Sequence, residues 1–250
     1  MNKNKLTALC LAALLCCSIF AGCKDKAPEQ QNAPDLPEGA VTAPVSPEEM
    51  QDLIDQGIIE DPNAPKQDIE PAPYSKGVIE NNVYRNEACD LTLRIPAGWI
   101  AQDDYNLCTL MGVTYDFEND DANLKAISKL ADIYDMMASD STQDQNIMVL
   151  MQDLNQHGLG DKSAAEYLDV MKEQLTSENT TSINADFEVE EITEVSYSGN
   201  TYSMMKVVAT PEEGTEVTQY FFLREANERM LTVMMTFPSA DPINPDTIFA

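Results

Sequence analysis

The carboxyl-terminal part of the chain contains several strand-like runs in close succession, and this feature limits the possible folds most. β-Branched and aromatic residues recur there with a period of two, in the runs 187–197, 201–210, 215–224 and 229–237. The connections between these runs are short and rich in Gly, Pro, Asn and Ser. Because short turns force neighbouring strands to be antiparallel, the sequence predicts an antiparallel meander.

A second strand pattern opens the folded region, in the stretch Gly77–Trp99. Val78–Arg85 is one strand-like run, and Leu91–Ile95 places alternate apolar side chains on one face. Pro96 stops this second strand because proline has no amide hydrogen to donate to a sheet. Trp99 is the only tryptophan in the chain. We expect its ring to be buried beneath this corner as a structural anchor.

Helical patterns and one strongly apolar strand lie between these two regions. Helical spacing predicts helices at Asp103–Met111 and Asp120–Ala138, and the apolar run Asn146–Leu154 predicts a central strand. Ser163 and Glu166 have the spacing of a capping box and predict a further helix. Its inward face would comprise Tyr167, Leu168, Met171 and Leu175. The predicted class is therefore α+β, a mostly antiparallel sheet with helices packed on it.

The opening motif also indicates a family. A Tyr84-x-Asn86 strand, followed by Leu91–Ile95 and then Pro96-Ala97-Gly98-Trp99, resembles the PsbP-like α-β-α sandwich domains of photosystem II extrinsic proteins and many bacterial lipoproteins. The resemblance covers residues 78–237. It implies a sandwich fold and, because the family is mostly non-catalytic, a binding or assembly module. The manganese-related role of the photosynthetic members is not carried over, since none of their ligands can be matched here.

The amino terminus has the pattern of an export signal. A basic start with Lys3 and Lys5 precedes the apolar run Leu6–Phe20, which is shorter than the roughly 20 apolar residues that a membrane-spanning helix needs. The following Ala21-Gly22-Cys23 resembles the lipobox of bacterial lipoproteins. We expect residues 1–22 to be a signal peptide and Cys23 to carry lipid, which would place the chain on the extracytoplasmic face of a bacterial cell membrane. The alternative is an ordinary secretory signal cleaved nearby.

Residues 23–76 are predicted to be a disordered linker ahead of a folded domain at 77–250. Nine of the fourteen prolines lie between Lys24 and Tyr74, among many acidic and amide side chains. Such a composition buries too little apolar surface to offset the entropy of ordering the chain. One segment, Ser46–Gly57, has the caps of a short helix. It is either a docking peptide or a transient helical turn.

Few residues in the sequence suggest catalysis. His157 is the only histidine, so no second histidine is present to complete a zinc or Ser-His-Asp site. We expect it to be solvated in a loop. Asp132 and Asp135 have the residue types of a glycosidase acid pair, but their spacing places them on one helical surface, which is more often just a solvated face. The sequence therefore assigns no catalytic, cofactor-binding or metal-binding residue.

Other chemically distinctive residues leave alternatives open. Cys89 and Cys108, the two cysteines of the folded region, form either one disulfide or two buried thiols. An acidic cluster before the second helix either caps that helix or binds calcium, and it comprises Asp116, Glu118, Asn119, Asp120 and Asp121. Nine methionines fill the core or form an exposed adaptable patch, and these are Met136, Met137, Met148, Met151, Met204, Met205, Met230, Met234 and Met235.

Charge excludes one class of partner. The chain has a formal net charge of −28, and removal of a leader containing Lys3 and Lys5 would make it still more acidic. Nucleic acid is therefore excluded as a partner, and direct docking on anionic lipid is disfavoured. We expect a lipid-anchored protein that binds an envelope component or another protein without catalysis. The alternatives are an extracytoplasmic carboxylate-based hydrolase and a lipoprotein that captures a solute or metal.

Overall fold

The computed structural model describes residues 70–176, 185–211 and 214–250. In this part of the chain the strands form two sheets, of three and eight strands. The small sheet has the order β1-β2-β3 and is built from β1 (Val78–Glu80), β2 (Val83–Asn86) and β3 (Leu91–Arg94). Both of its strand pairs are antiparallel.

The large sheet has the order β4-β5-β6-β11-β10-β9-β7, with β8 also paired to β9. Its strands are β4 (Ile100–Ala101), β5 (Asp132–Ser139), β6 (Asn146–Gln152), β7 (Ala185–Val189), β8 (Thr193–Tyr197), β9 (Asn200–Pro211), β10 (Val217–Ala226) and β11 (Arg229–Pro238). The helices are α1 (Asp104–Leu110), α2 (Asp120–Ile127), α3 (Ala164–Leu175) and α4 (Pro245–Ile248). Every strand pair of this sheet is antiparallel, so the predicted α+β class is confirmed.

The main core lies between the two sheets. Side chains of β2 and β3 pack there against alternate positions of the large sheet, and helices α1 and α2 contribute Cys108 and Ile127. The carboxyl terminus closes this core, because Phe249 stacks on Tyr197 with ring centroids 4.2 Å apart. Helix α3 packs on β9 and β10 with residues outside this cluster, and therefore covers the other face of the sheet.

Several local predictions are confirmed. Ser163 caps α3 and forms the capping box with Glu166, and the four predicted inward residues of this helix are all buried. Strand β6 is buried along its whole length and pairs on both sides, as a central strand must. The turn between β10 and β11 has positive φ at Asn227 and Glu228, the conformation that a two-residue hairpin needs.

The predicted helix at Asp120–Ala138 is wrong in its second half. Helix α2 ends at Ile127, and Asp132–Ser139 forms strand β5 between β4 and β6. A strand covered on both faces has no polar alternation, so its apolar residues also matched a helical spacing.

Two predicted strands are in fact pairs of strands. Val78–Arg85 is a hairpin, since Asn81 and Asn82 have φ values of 51° and 59° and turn the chain between β1 and β2. Asparagine tolerates this left-handed region better than most residues. The run 187–197 is likewise divided into β7 and β8, which pair with successive parts of β9.

The predicted end of the linker also requires correction. Residues 70–76 were assigned to the linker, but Ala72 is buried and Tyr74 packs against the core. The predicted signal peptide, Cys23 and the Ser46–Gly57 helix lie outside the described residues. In the described ranges no helix is long and apolar enough to cross a membrane.

Candidate functional site

Three aromatic side chains cluster on the surface beside helices α1 and α2. Tyr105 lies on α1, and Tyr115 and Phe117 lie on the loop that leads to α2. Their ring centroids are 5.0 to 6.2 Å apart in pairs, in stacked and edge arrangements. Phe117 is nevertheless 76% exposed and Tyr105 is 49% exposed. We call these three residues the aromatic face.

A cavity of about 190 Å³ lies next to the aromatic face, between α1 and α2. Leu107, Cys108 and Ile127 form its buried apolar part. Tyr115, Leu124 and the carboxylates of Asp104, Asp120 and Asp121 line it nearer the surface. The cavity therefore has an apolar floor and an acidic mouth.

The mouth of this cavity carries a negative potential. Asp104 is paired with Lys76, the single cationic residue among the described residues that line the cavity. Burial, together with the carboxylates of Asp120 and Asp104, raises the pKa of the Tyr115 phenol. Tyr115 therefore stays neutral at ordinary pH and can donate a hydrogen bond at the mouth.

A second hollow lies on another side of the domain, between the loop 154–162 and the β10–β11 turn. Its lining includes Asn155, Lys162, Glu225, Glu228 and Arg229 and is mostly polar. Because binding sites for organic ligands are usually apolar with a few convergent polar groups, the cavity between α1 and α2 is the better candidate.

A buried carboxylate also belongs to the lining of this cavity. Asp135 is only 5% exposed and accepts hydrogen bonds from Tyr74 Oη at 2.6 Å, Gly77 N at 3.0 Å and Asn86 Nδ2 at 3.0 Å, and also from Tyr84 Oη. The register of β5 shifts between Tyr134 and Met136, so Asp135 is the extra residue of a β-bulge. The bulge directs this carboxylate to the segment that precedes β1.

A buried guanidinium binds the same segment a few residues earlier in the chain. Arg229 is 1% exposed and donates to the carbonyl oxygens of Ala72 and Pro73, and to three carbonyls of the loop after α2. Burial tends to raise the pKa of the nearby Asp153, but hydrogen bonds from Ala72 N and Gln156 Nε2 and the charge of Arg229 bring it below its ordinary value. We call residues 72–77 the latch segment, since these contacts bind it to the domain.

The expectation that His157 is solvated is wrong. Its side chain is 20% exposed, and Nε2 lies 3.2 Å from Oδ1 of Asp132. The hydrogen bond with Asp132 raises the pKa of His157, although burial opposes this. Asp132 also accepts a hydrogen bond from Gln152 Nε2 at 2.9 Å. Asp132 and Asp135 therefore have separate sets of partners and form no acid pair, and neither lies on a helix.

Cys89 and Cys108 are two free, buried thiols, so the disulfide alternative is not realised. Burial and the charge of Asp135 raise the pKa of Cys89 to about 11, and burial also raises that of Cys108. Both are therefore protonated at neutral pH and poorly nucleophilic.

The acidic cluster before α2 behaves as a capping region. Asn119 is the N-cap and accepts a hydrogen bond from Ala122 N, while Asp116 accepts one from Glu118 N. In the described ranges no group of three or more His, Cys, Asp or Glu side chains is arranged to hold a metal ion. The observed contacts are therefore those of the first alternative, in which the cluster caps helix α2.

The remaining predicted residues lie in the core or against it. Of the nine methionines, all are buried except Met204, which is half-buried against the core, so the core-filling alternative holds. Trp99 is half-buried and packs against the main core. Sequence reasoning missed the aromatic face, because Tyr105, Tyr115 and Phe117 follow no helical or strand period.

Comparisons with known proteins give a structural likeness and no match in sequence. No protein-family model matches the chain, and no curated protein matches it significantly. The solution structure of cyanobacterial PsbP (CyanoP) from Synechocystis sp. PCC 6803 is similar, with a TM-score of 0.38 and 10% sequence identity, over 70% of this chain and 88% of that one. CyanoP is itself a PsbP protein, the group that the strand motif resembles. A likeness of this degree concerns the course of the chain, and no function follows from it.

Proposed function

We propose that this chain is a membrane-anchored extracytoplasmic lipoprotein whose folded domain binds a protein of the cell envelope without catalysing a reaction. The observation that carries the proposal is the aromatic face. Phe117 is 76% exposed, so a large aromatic ring is in contact with water. Burial of this apolar surface against a partner would be favourable in free energy. Aromatic residues are also enriched among those that contribute most to binding at protein interfaces.

The surroundings of the aromatic face favour a basic partner segment. Asp104, Asp120 and Asp121 line the adjacent cavity, and the whole chain has a net charge of −28. A cationic segment would be attracted by this field and would bring its own cations to the acidic mouth. The same field repels nucleic acid and anionic lipid surfaces.

The anchoring part of the proposal rests on the amino-terminal sequence. A basic start, a short apolar run and Ala21-Gly22-Cys23 support lipidation of Cys23. The proline-rich residues that follow would let the domain reach partners at some distance from the bilayer. A single acyl chain binds a membrane only weakly, so stable anchoring needs more than one.

The hydrolase alternative loses its main support in the described residues. A glycosidase needs two carboxyl groups that face one substrate, roughly 5 to 9.5 Å apart with access to it. Asp135 is buried and bound by Tyr74, Tyr84, Gly77 and Asn86, so it is not accessible to a polymer. Binding without catalysis remains the better hypothesis.

Site-specific photo-crosslinking in cells tests the proposal. Phe117 is replaced by p-benzoylphenylalanine, which keeps an aromatic ring at the exposed position, and cells are irradiated before the membrane fraction is analysed. We expect a covalent adduct with one envelope protein, and mass spectrometry of the adduct should place the crosslink in a segment containing Lys or Arg.

The matched control carries the same photoreactive residue at Glu194. This position is exposed on β8, at the other end of the large sheet from α1 and α2. An adduct at position 117 and none at position 194 supports the proposed interface. The same adducts at both positions, or none at position 117, would contradict it.

A further inference from the structure

The cavity beside the aromatic face has a size suited to one side chain. Its volume is about 190 Å³. A cavity of about 150 Å³ accommodates benzene, whereas pockets for drug-sized ligands occupy roughly 300 to 1,000 Å³. The apolar floor of Leu107, Cys108 and Ile127 therefore matches a single aromatic ring better than a polar metabolite.

The carboxylates that line the cavity differ in how far they are already neutralised. Asp104 is paired with Lys76, and Asp135 is bound by its own set of donors. Asp120 and Asp121 are exposed and form no ion pair with another described residue. Two negative charges therefore remain available at the mouth of the cavity, where they could pair with a cation of the occupant.

An occupant that satisfies both parts of the cavity has an apolar ring inside and a cation at the mouth. Such a cation would lie near Asp120 and Asp121 and beside the ring of Tyr115, whose π face also attracts positive charge. Cys108 and Met111 also line the cavity, and polarizable sulfur-containing side chains make favourable contacts with aromatic rings.

We propose that the cavity receives an aromatic side chain of the envelope partner, and that a lysine or arginine next to it in the partner is held by Asp120 and Asp121. This inference rests on the proposed function, since the occupant comes from the protein that covers the aromatic face. The inserted ring is the central anchor of the interface, and the aromatic face surrounds it and excludes water.

A small amphipathic cation serves as the probe. Phenethylammonium has one benzene ring and one ammonium group, and it is titrated into the full-length protein in detergent while the methionine methyl resonances are followed by NMR. We expect the Met111 methyl signal, assigned with Met111→Leu, to shift at millimolar probe. The uncharged 2-phenylethanol should bind about threefold to tenfold more weakly, because it lacks the attraction to the rim carboxylates, and 3-phenylpropionate more weakly still.

Two variants locate the binding site. Asp120→Asn combined with Asp121→Asn should reduce the preference for phenethylammonium over 2-phenylethanol by about threefold or more. Leu124 is 40% exposed at the mouth, so Leu124→Trp can cover the opening without disturbing the core and should abolish binding of both probes. Asp186→Asn, on exposed β7, is the matched control and should leave both affinities unchanged.

Competition between the probe and the crosslink distinguishes failure of the cavity inference from failure of the proposed function. Phenethylammonium should reduce the adduct formed by p-benzoylphenylalanine at position 117. If the adduct forms and the probe does not shift Met111, the cavity inference is overturned while the proposed interface stands. If the probe binds but leaves the adduct unchanged, the assignment of the occupant to the partner protein is overturned. If the probe binds and no adduct forms at all, the proposed function fails.

Discussion

At the scale of single residues, Asp135 shows how the fold tolerates a buried charge. Its carboxylate accepts hydrogen bonds from two phenols, a backbone amide and an asparagine amide. Burial and the adjacent carboxylate raise the pKa values of Tyr74 and Tyr84, so both phenols remain donors. A buried polar group with this many partners stabilises the structure only as long as the set is complete.

We therefore predict that Asp135→Asn destabilises the protein by about 3 kcal/mol. The asparagine side chain has no negative charge, and its NH2 group would face the hydrogen-bond donors that now bind the carboxylate. Buried donors would therefore be left unsatisfied. Denaturant unfolding followed by Trp99 fluorescence measures the change. Asp186→Asn, an exposed carboxylate, should alter stability by no more than about 0.5 kcal/mol. Equal effects of the two substitutions would mean that the Asp135 network contributes no stability.

The contact of His157 with Asp132 should make the stability of the protein depend on pH. Its pKa is raised in the folded state by the hydrogen bond with Asp132, so the protonated form is favoured on folding. The resulting stabilisation is complete below the unfolded-state pKa of about 6.5 and is lost as the pH rises through the folded-state pKa. Urea midpoints measured across this range should fall with rising pH more in the wild type than in His157→Gln. Parallel profiles for the two proteins would contradict the assignment.

At the scale of elements, the latch segment belongs to the domain despite its linker-like composition. The backbone groups of Ala72 and Pro73 are bound by Arg229, and the amide of Ala72 also donates to Asp153 at 2.9 Å. Gly77 is required at the end of this segment, because a Cβ there would lie 2.3 Å from the ring of Tyr84. The segment therefore has specific contacts at both ends.

Two internal deletions test the role of the latch segment. Removal of residues 24–68 should leave the denaturant midpoint close to that of the wild type. Removal of 24–77 should lower stability by about 3 kcal/mol or more, since Asp135, Asp153 and Arg229 lose partners while they remain buried. Gly77→Ala should act in the same direction through its clash with Tyr84. If both deletions have the same midpoint, the latch segment is dispensable for stability.

At the scale of the whole molecule, the lipid anchor is a prediction from the amino-terminal sequence. A clickable fatty acid fed to cells should label the wild-type protein, and Cys23→Ser should abolish the label and release the protein from the membrane fraction. Cys108→Ser, a buried thiol of the domain, is the control and should remain labelled. Persistent labelling of Cys23→Ser would show that the lipidation site lies elsewhere.

Sequence patterns predicted those features that depend on neighbours in the chain. The capping box of Ser163 and Glu166, the buried strand Asn146–Gln152 and the turn at Asn227 are local, because each involves residues at most a few positions apart. The alternation of the terminal meander predicted the antiparallel class for the same reason. Strand β5 was mistaken for a helix because a fully covered strand has no alternation to detect.

The sequence by itself determined the fold class, the acidic character and those helices and strands whose local periodicity is unambiguous, since these follow from local pattern and composition. Only the tertiary structure decided where the domain begins, which acids are buried and which aromatic rings meet on the surface. Arg229 contacts Ala72 across 157 positions of the chain, and the three rings of the aromatic face come from a helix and a loop without a common period. Contacts of that kind depend on packing between distant segments, and no local pattern in the sequence encodes them.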